Sequence, residues 1–179
     1  MGRAERGELS WQQQRRDRLR DLFALLELEA AGGDDVLDAH FAGFLTHYES
    51  SWTPYEDVAA AFASWRDAGV RMAVLTNGVG DQQWRKLRVL GVAADIEFVV
   101  ALDTLGVGKP DPRVYAEACR RFGLPAAQVV YVGDDIARDA VGASACGLTG
   151  VLLDRSAADA PPGVDVVVRD LSQVLPLLG

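Results

Sequence analysis

Apolar residues follow one rhythm in the first third of the chain and another in the rest. From Ser10 to about Ser50 the period is helical: Leu19, Leu22, Phe23 and Leu26 recur at i, i+3, i+4 and i+7. Ser10 with Gln13 makes a capping-box signature at the start of this helix. Gly32-Gly33 breaks it, Asp34 or Asp35 can cap the next, and Leu37, Phe41, Phe44, Leu45 and Tyr48 form an apolar face. With no strand among them, these two helices predict a helical hairpin or part of a bundle. Ser50-Ser51-Trp52 reads as a hinge, so residues 1–52 form one predicted domain.

The second domain, residues 53–179, restarts at Thr53-Pro54-Tyr55-Glu56 with a cap, a proline at the first helical position and a capping-box glutamate. Short apolar runs then alternate with helical segments. The predicted strands lie at 72–75, 98–102, 129–132, 151–153 and 166–168. Between them helices are predicted to Ala68, over 81–90, from Asp111-Pro112 to Gly123 and from Ile136 to Cys146, with a terminal helix at the end. Continuous Val, Leu and Ile without polar alternation predict strands covered on both faces. Such a chain is α/β, a Rossmann-like doubly wound parallel sheet with right-handed crossovers.

Charge narrows the partners. Lys and Arg number 18 against 26 Asp and Glu, a net charge of −8. That balance disfavours nucleic acid and anionic membranes, and no apolar run approaches the roughly 18 residues of a membrane span. The first residues carry no apolar signal core, which together with two isolated cysteines, Cys119 and Cys146, leads us to expect a cytoplasmic protein.

Polar residues close three of the apolar runs: Thr76-Asn77-Gly78 after the first, Gly108-Lys109-Pro110-Asp111-Pro112 after the second, and Gly133-Asp134-Asp135, with Asp139 a turn on, after the third. In an open parallel sheet, ligands bind outside the carboxyl ends of the strands. A hydroxyl and glycine-rich turn can hold phosphate, and a lysine neutralises charge that develops in phosphoryl transfer. Clustered carboxylates call for a compensating cation, Lys109 or magnesium, which takes one or two carboxylates and fills its shell with water and substrate oxygens. Singly, each motif has a plainer explanation. Thr76-Asn77 can be an ordinary turn, Lys109 a solvated loop residue, and Asp135 a helix cap. His40 and His47 are too far apart for a compact metal site, and Trp84 serves packing or, being near the Thr76 loop, substrate. Gly106-Val107-Gly108-Lys109 lacks the upstream glycine and the Ser/Thr of a Walker loop.

Together, in this order and on these strand ends, Leu75-Thr76-Asn77-Gly78, Gly108-Lys109-Pro110-Asp111-Pro112 and Val132-Gly133-Asp134-Asp135 with Asp139 resemble the second, third and fourth motifs of the haloacid dehalogenase-like hydrolases. The resemblance implies that Thr76 and Asn77 bind phosphate, with Lys109 stabilising both phosphate and nucleophile. It also implies that Asp134 ligates Mg2+ and that Asp139 supports the lysine or the metal shell. Residues 1–52 then resemble the later part of a helical cap, a small remnant of the insert that screens such sites.

One part of the pattern is missing. The family's nucleophile is an aspartate on a first strand in a D-x-D-x-T pattern, and no such run precedes Thr76. Asp103-Thr104, Asp154-Arg155 and Asp170-Leu171 follow apolar stretches but lack the paired acid. The family's first strand lies between those ending at Thr76 and Asp134, so its absence predicts a gap or an unsupported direct pairing. Two readings follow. One is a magnesium-dependent phosphatase for a small phosphorylated metabolite, N-terminally truncated and inactive alone. The other is a non-catalytic binding or assembly module completed by a partner or swapped strand, with an exposed sheet edge that invites homo-oligomers. Halide chemistry fits less well, because it makes no use of the acidic cluster.

Overall fold

Glycine stops and apolar periods build the elements, and the computed structural model describes them over residues 11–28, 32–156 and 160–178. The chain divides into two compact units that part between Thr53 and Pro54.

The first unit pairs α1 (Trp11–Leu25) with α2 (Asp34–Ser50). The expected Ser10 cap lies outside the described residues. Asp34 does not cap α2: Gly33 holds that position without a side-chain bond. Instead Arg16 and Arg20 of α1 take Asp34 at 2.6 and 2.5 Å, and Arg16 Nε also donates to Asp38 at 2.8 Å. The Arg16 guanidinium holds the Asp38 carboxyl down at about 2. Leu37 is buried as expected, but Phe44 and Tyr48 are 55% and 45% exposed and stack on each other at 5.8 Å. Among the described residues of this unit, two helices offer no further layer to cover that ridge.

The second unit alternates helix and strand: α3 (Asp57–Asp67), β1 (Met72–Leu75), α4 (Gly80–Val89), β2 (Ile96–Val100), the short α5 (Leu102–Leu105), α6 (Pro112–Phe122), β3 (Val130–Gly133), a π-helical turn (Ile136–Val141), α7 (Gly142–Ala145), β4 (Thr149–Leu153) and β5 (Val166–Val168). Every strand pair is parallel, giving the α/β Rossmann-like architecture. The strands form two sheets, however, β1–β2 and β3–β4–β5, and no ladder joins β1 to β3 among the described residues. Helix α6 lays Val114, Tyr115 and Ala118 against Leu75, Val100 and Leu148, while Trp65 and Ala61 of α3 meet Val151, Val168 and Val174. Cys119 and Cys146 are free thiols packed against the first of these clusters.

Three expectations change. Helix α3 starts at Asp57 rather than at Pro54, after a turn in which the Val58 N–H donates to the Tyr55 carbonyl at 3.1 Å, and Asp57 Oδ2 accepts from Arg155 at 3.0 Å and from the Leu171 N–H at 2.8 Å. The terminal helix is two 3-10 turns, Leu171–Gln173 and Leu175–Leu178; Pro176 lacks the N–H and the room an α-helix would need there. The segment after Asp135 is a π turn before it becomes α, which brings it hard against β4. A Cβ at Gly150 would meet the Ala140 carbonyl at 2.1 Å.

Candidate active site

The loop after β1 and the loop before α6 are locked together by one side chain. Asn77 Nδ2 donates to the Lys109 carbonyl at 2.9 Å, and the Lys109 N–H donates to Asn77 Oδ1 at 2.6 Å. This two-way clamp uses the Asn77 carbonyl and one of its N–H groups, so Asn77 is first a strut for Lys109. Gly108 makes the approach feasible, since a Cβ there would lie 2.7 Å from Asn77 Oδ1. The neighbouring Thr76 accepts the Gly78 N–H on Oγ1 at 3.0 Å, which leaves its hydroxyl proton to donate.

Lys109 Nζ reaches from that loop to β3. It donates to Asp139 Oδ1 at 2.6 Å and to the Tyr131 hydroxyl at 2.5 Å. The Lys109 and Asp139 side chains are only 11% and 5% exposed. Asp139 Oδ2 accepts the Asp135 N–H at 3.0 Å, so both oxygens of this buried carboxylate are satisfied. Gly133 permits the arrangement: a Cβ on it would fall 2.3 Å from Asp139 Oδ2.

Tyr131 is the residue that pattern reading overlooked. Its hydroxyl lies 3.3 Å from both the Leu75 carbonyl and Asp139 Oδ1, either of which can take its proton. Burial pushes its phenol well above the usual range, and the Asp139 charge pushes it further. The one available clue was a tyrosine within an aliphatic strand, because a buried hydroxyl needs a partner.

The acidic residues separate into three roles. Asp135 caps the π turn by accepting the Arg138 N–H at 2.8 Å and also pairs with its guanidinium at 2.5 Å, which keeps its carboxyl below the ordinary value. Asp139 belongs to Lys109. Asp134 is exposed and has no hydrogen bond or ion pair among the described residues. No three His, Cys, Asp or Glu side chains among those residues converge as a metal cage. Magnesium does not need one, because a single free carboxylate with water and phosphate oxygens is an ordinary donor set for it. Asp134 meets that requirement.

The alternative acids have structural employment. Asp103 accepts the Gly80 N–H at the start of α4 at 3.1 Å, Asp154 closes a turn on Ser156 at 2.9 Å, and Asp170 caps the turn at Ser172 at 2.8 Å. His40 stands edge-on to Phe23 at 5.4 Å, and Trp84 packs on the Ile96, Val99 and Ala101 cluster.

The comparisons with known proteins agree on a family and include both phosphatases and dehalogenases. Over 133 residues the chain is 36% identical to a glyceraldehyde 3-phosphate phosphatase of Methanopyrus kandleri, covering 73% of this chain and 57% of that protein. It is 34% identical over 149 residues to a phosphoserine phosphatase of Thermus thermophilus, covering 82% and 60%. The chain thus spans about three fifths of the length of these relatives. A crystal structure of a HAD phosphatase from Thermococcus onnurineus superposes with a TM-score of 0.70 at 24% identity, covering 89% of this chain and 70% of that one. The family model for haloacid dehalogenase-like hydrolases matches residues 2–147, and the chain belongs to that family.

Proposed function

We propose that this chain carries the phosphate- and metal-gripping half of a magnesium-dependent phosphatase acting on a small phosphorylated metabolite, and that residues 1–179 alone do not turn over substrate. One observation carries the reading: a buried lysine, fixed by Asp139, Tyr131 and the Asn77 clamp, sits where Thr76 and the free Asp134 also emerge. In it, the Lys109 ammonium and the Thr76 hydroxyl donate to phosphoryl oxygens, and the second Asn77 N–H is the part of that side chain left to join them. Asp139 fixes the lysine. Asp134 would hold Mg2+, which when bound supplies charge neutralisation at the phosphoryl group. The names of the relatives, both phosphatases, support the substrate class. Residues 1–52 are read as part of a helical cap. The two free thiols support a cytoplasmic location, and no helix among the described residues is long and apolar enough to cross a membrane.

Calorimetry with inorganic phosphate and magnesium chloride tests the site directly. Phosphate should bind only with magnesium present, and Thr76→Val or Asp134→Asn should abolish the heat. Binding indifferent to both would reject the reading. The chain should release no p-nitrophenol from p-nitrophenyl phosphate. Turnover that vanishes in Asp134→Ala would reveal an attacking group within these residues.

The second reading, a non-catalytic module completed by a partner or swapped strand, is favoured by the separation of the sheet into two pieces.

A further inference from the structure

The turn after β1 carries two glycines, and both have spent their N–H groups inside the protein. The Gly78 N–H donates to Thr76 Oγ1 at 3.0 Å, and the Gly78 carbonyl accepts the Leu102 N–H at 3.1 Å. The Gly80 N–H donates to the two Asp103 carboxylate oxygens at 3.1 and 3.3 Å. Asp103 thereby takes the place where an anion would otherwise rest on the N-terminus of α4. Phosphate beside Thr76 needs donors that these two glycines do not supply.

Gln83 brings one to the same spot. It lies in the first turn of α4, where its N–H donates to the Val79 carbonyl at 3.1 Å. Trp84 and Leu87 pack on the Ile96, Val99 and Ala101 cluster, which fixes the rotation of the helix. Helical side chains lean toward the N-terminus, so the Gln83 carboxamide reaches back over the turn. A Cβ at Gly78 would lie 2.6 Å from Gln83 Nε2 and 3.3 Å from Thr76 Oγ1, so the amide and the hydroxyl border one point. Gln83 is half-buried, yet its carboxamide makes no hydrogen bond among the described residues. A partly desolvated amide without a partner costs free energy that a ligand oxygen would recover.

We propose that Gln83 is a phosphate-binding residue whose Nε2 donates to the phosphoryl oxygen that the Thr76 hydroxyl also approaches. The inference deepens the phosphatase reading above and rests on it. A phosphoryl group presents three strong acceptor oxygens, and the donors already placed are few. Lys109 Nζ gives two of its three protons to Asp139 and Tyr131, and Asn77 gives its carbonyl and one N–H to the Lys109 backbone. Thr76 has a single hydroxyl proton. Gln83 adds two N–H groups to this set from a separate element and brings no charge with them. Simple packing over Gly78 would be served as well by an apolar side chain, which carries no unpartnered amide.

Calorimetry on the whole chain with inorganic phosphate and magnesium chloride tests this, together with the side-chain amide signals of Gln83 in isotope-labelled protein, assigned by their loss in Gln83→Leu. Phosphate should shift the Gln83 amide pair of the parent chain. Gln83→Leu should weaken phosphate binding about tenfold or more, the worth of a hydrogen bond to a charged group. Gln83→Glu, which sets a carboxylate against the anion, should weaken it at least as much. Without ligand, Gln83→Leu should melt with the parent chain, because the carboxamide has no partner to lose. Binding that Thr76→Val abolishes but Gln83→Leu leaves unchanged would overturn the assignment while the phosphatase reading stands. An amide pair unmoved at saturating phosphate would do the same, and it decides the matter even where Gln83→Leu melts lower. If the parent chain binds no phosphate with magnesium, the reading and the inference fall together.

Discussion

Replacing Lys109 by methionine keeps the length of the side chain and removes its charge. Asp139, 4% exposed, then retains the Asp135 N–H on Oδ2 but has only the 3.3 Å contact with the Tyr131 hydroxyl on Oδ1. Removing one member of a buried ion pair costs about 3–5 kcal/mol, because the survivor stays desolvated and unpaired. The Tyr131 hydroxyl offsets part of this, so about 3 kcal/mol is expected. Against the about 5–15 kcal/mol that holds a domain together, that is a large fraction. With a urea dependence of about 1–3 kcal/mol per molar, the midpoint should fall by about 1–3 M. Asp139→Asn should cost a similar amount, since it leaves the Lys109 ammonium buried without its counter-ion. The assay is urea unfolding followed by far-UV circular dichroism on the two single variants and the double variant. The double should lose less than the sum of the singles by about 2 kcal/mol. Two small, additive losses would show that water screens the pair and that it does not order the site.

Gly133→Ala places a methyl 2.3 Å from Asp139 Oδ2, an atom that the Asp135 N–H holds in place, so about 1–3 kcal/mol should be lost. Gly69→Ala, at φ +73 with nothing within 4 Å, is the control for backbone strain alone and should cost about 1 kcal/mol; equal losses for the two in thermal melts would refute the steric account. Burial works against ionisation of Asp57, yet the Arg155 guanidinium and the Leu171 N–H outweigh it and hold its carboxyl below the ordinary value. A depressed folded-state value means that this contribution is present above about pH 4 and lost as pH falls below it. Asp57→Asn should therefore flatten the acid limb of a plot of urea midpoint against pH, and an unchanged limb would show that other carboxylates set it.

Local structure was legible wherever one residue dictates it. The helix stops at Gly69, Gly91 and Gly123 are all left-handed in the fold, as their positions after apolar periods suggested. Asp111 with Pro112 starts α6 with the expected cap. Thr76 and Asp134 directly follow β1 and β3, but the expected strand over 98–102 ends at Val100, Leu102 begins α5, and Lys109 lies beyond that helix. Hydrogen bonds between residues 22 to 56 positions apart were not legible: Asn77 on the Lys109 backbone, Tyr131 on Lys109 and on Leu75. Nothing in local spacing encodes them, because their geometry depends on how two crossovers bring separate strand ends together.

The order of motifs and the α/β alternation are properties of the linear chain, since periodicity and turn chemistry act over a few residues. A cap at Asp135 and a lysine partner at Asp139 were expected from the chain, and packing supplied the contacts that hold them. Burial gave Asp139 to Lys109 and the π turn gave Asp135 to Arg138, leaving Asp134 alone at the surface. The choice between a gap and a direct pairing of β1 with β3, both expected from the missing first strand, is likewise a tertiary fact: β1 and β3 each spend one edge on a neighbouring strand, and no ladder joins them among the described residues.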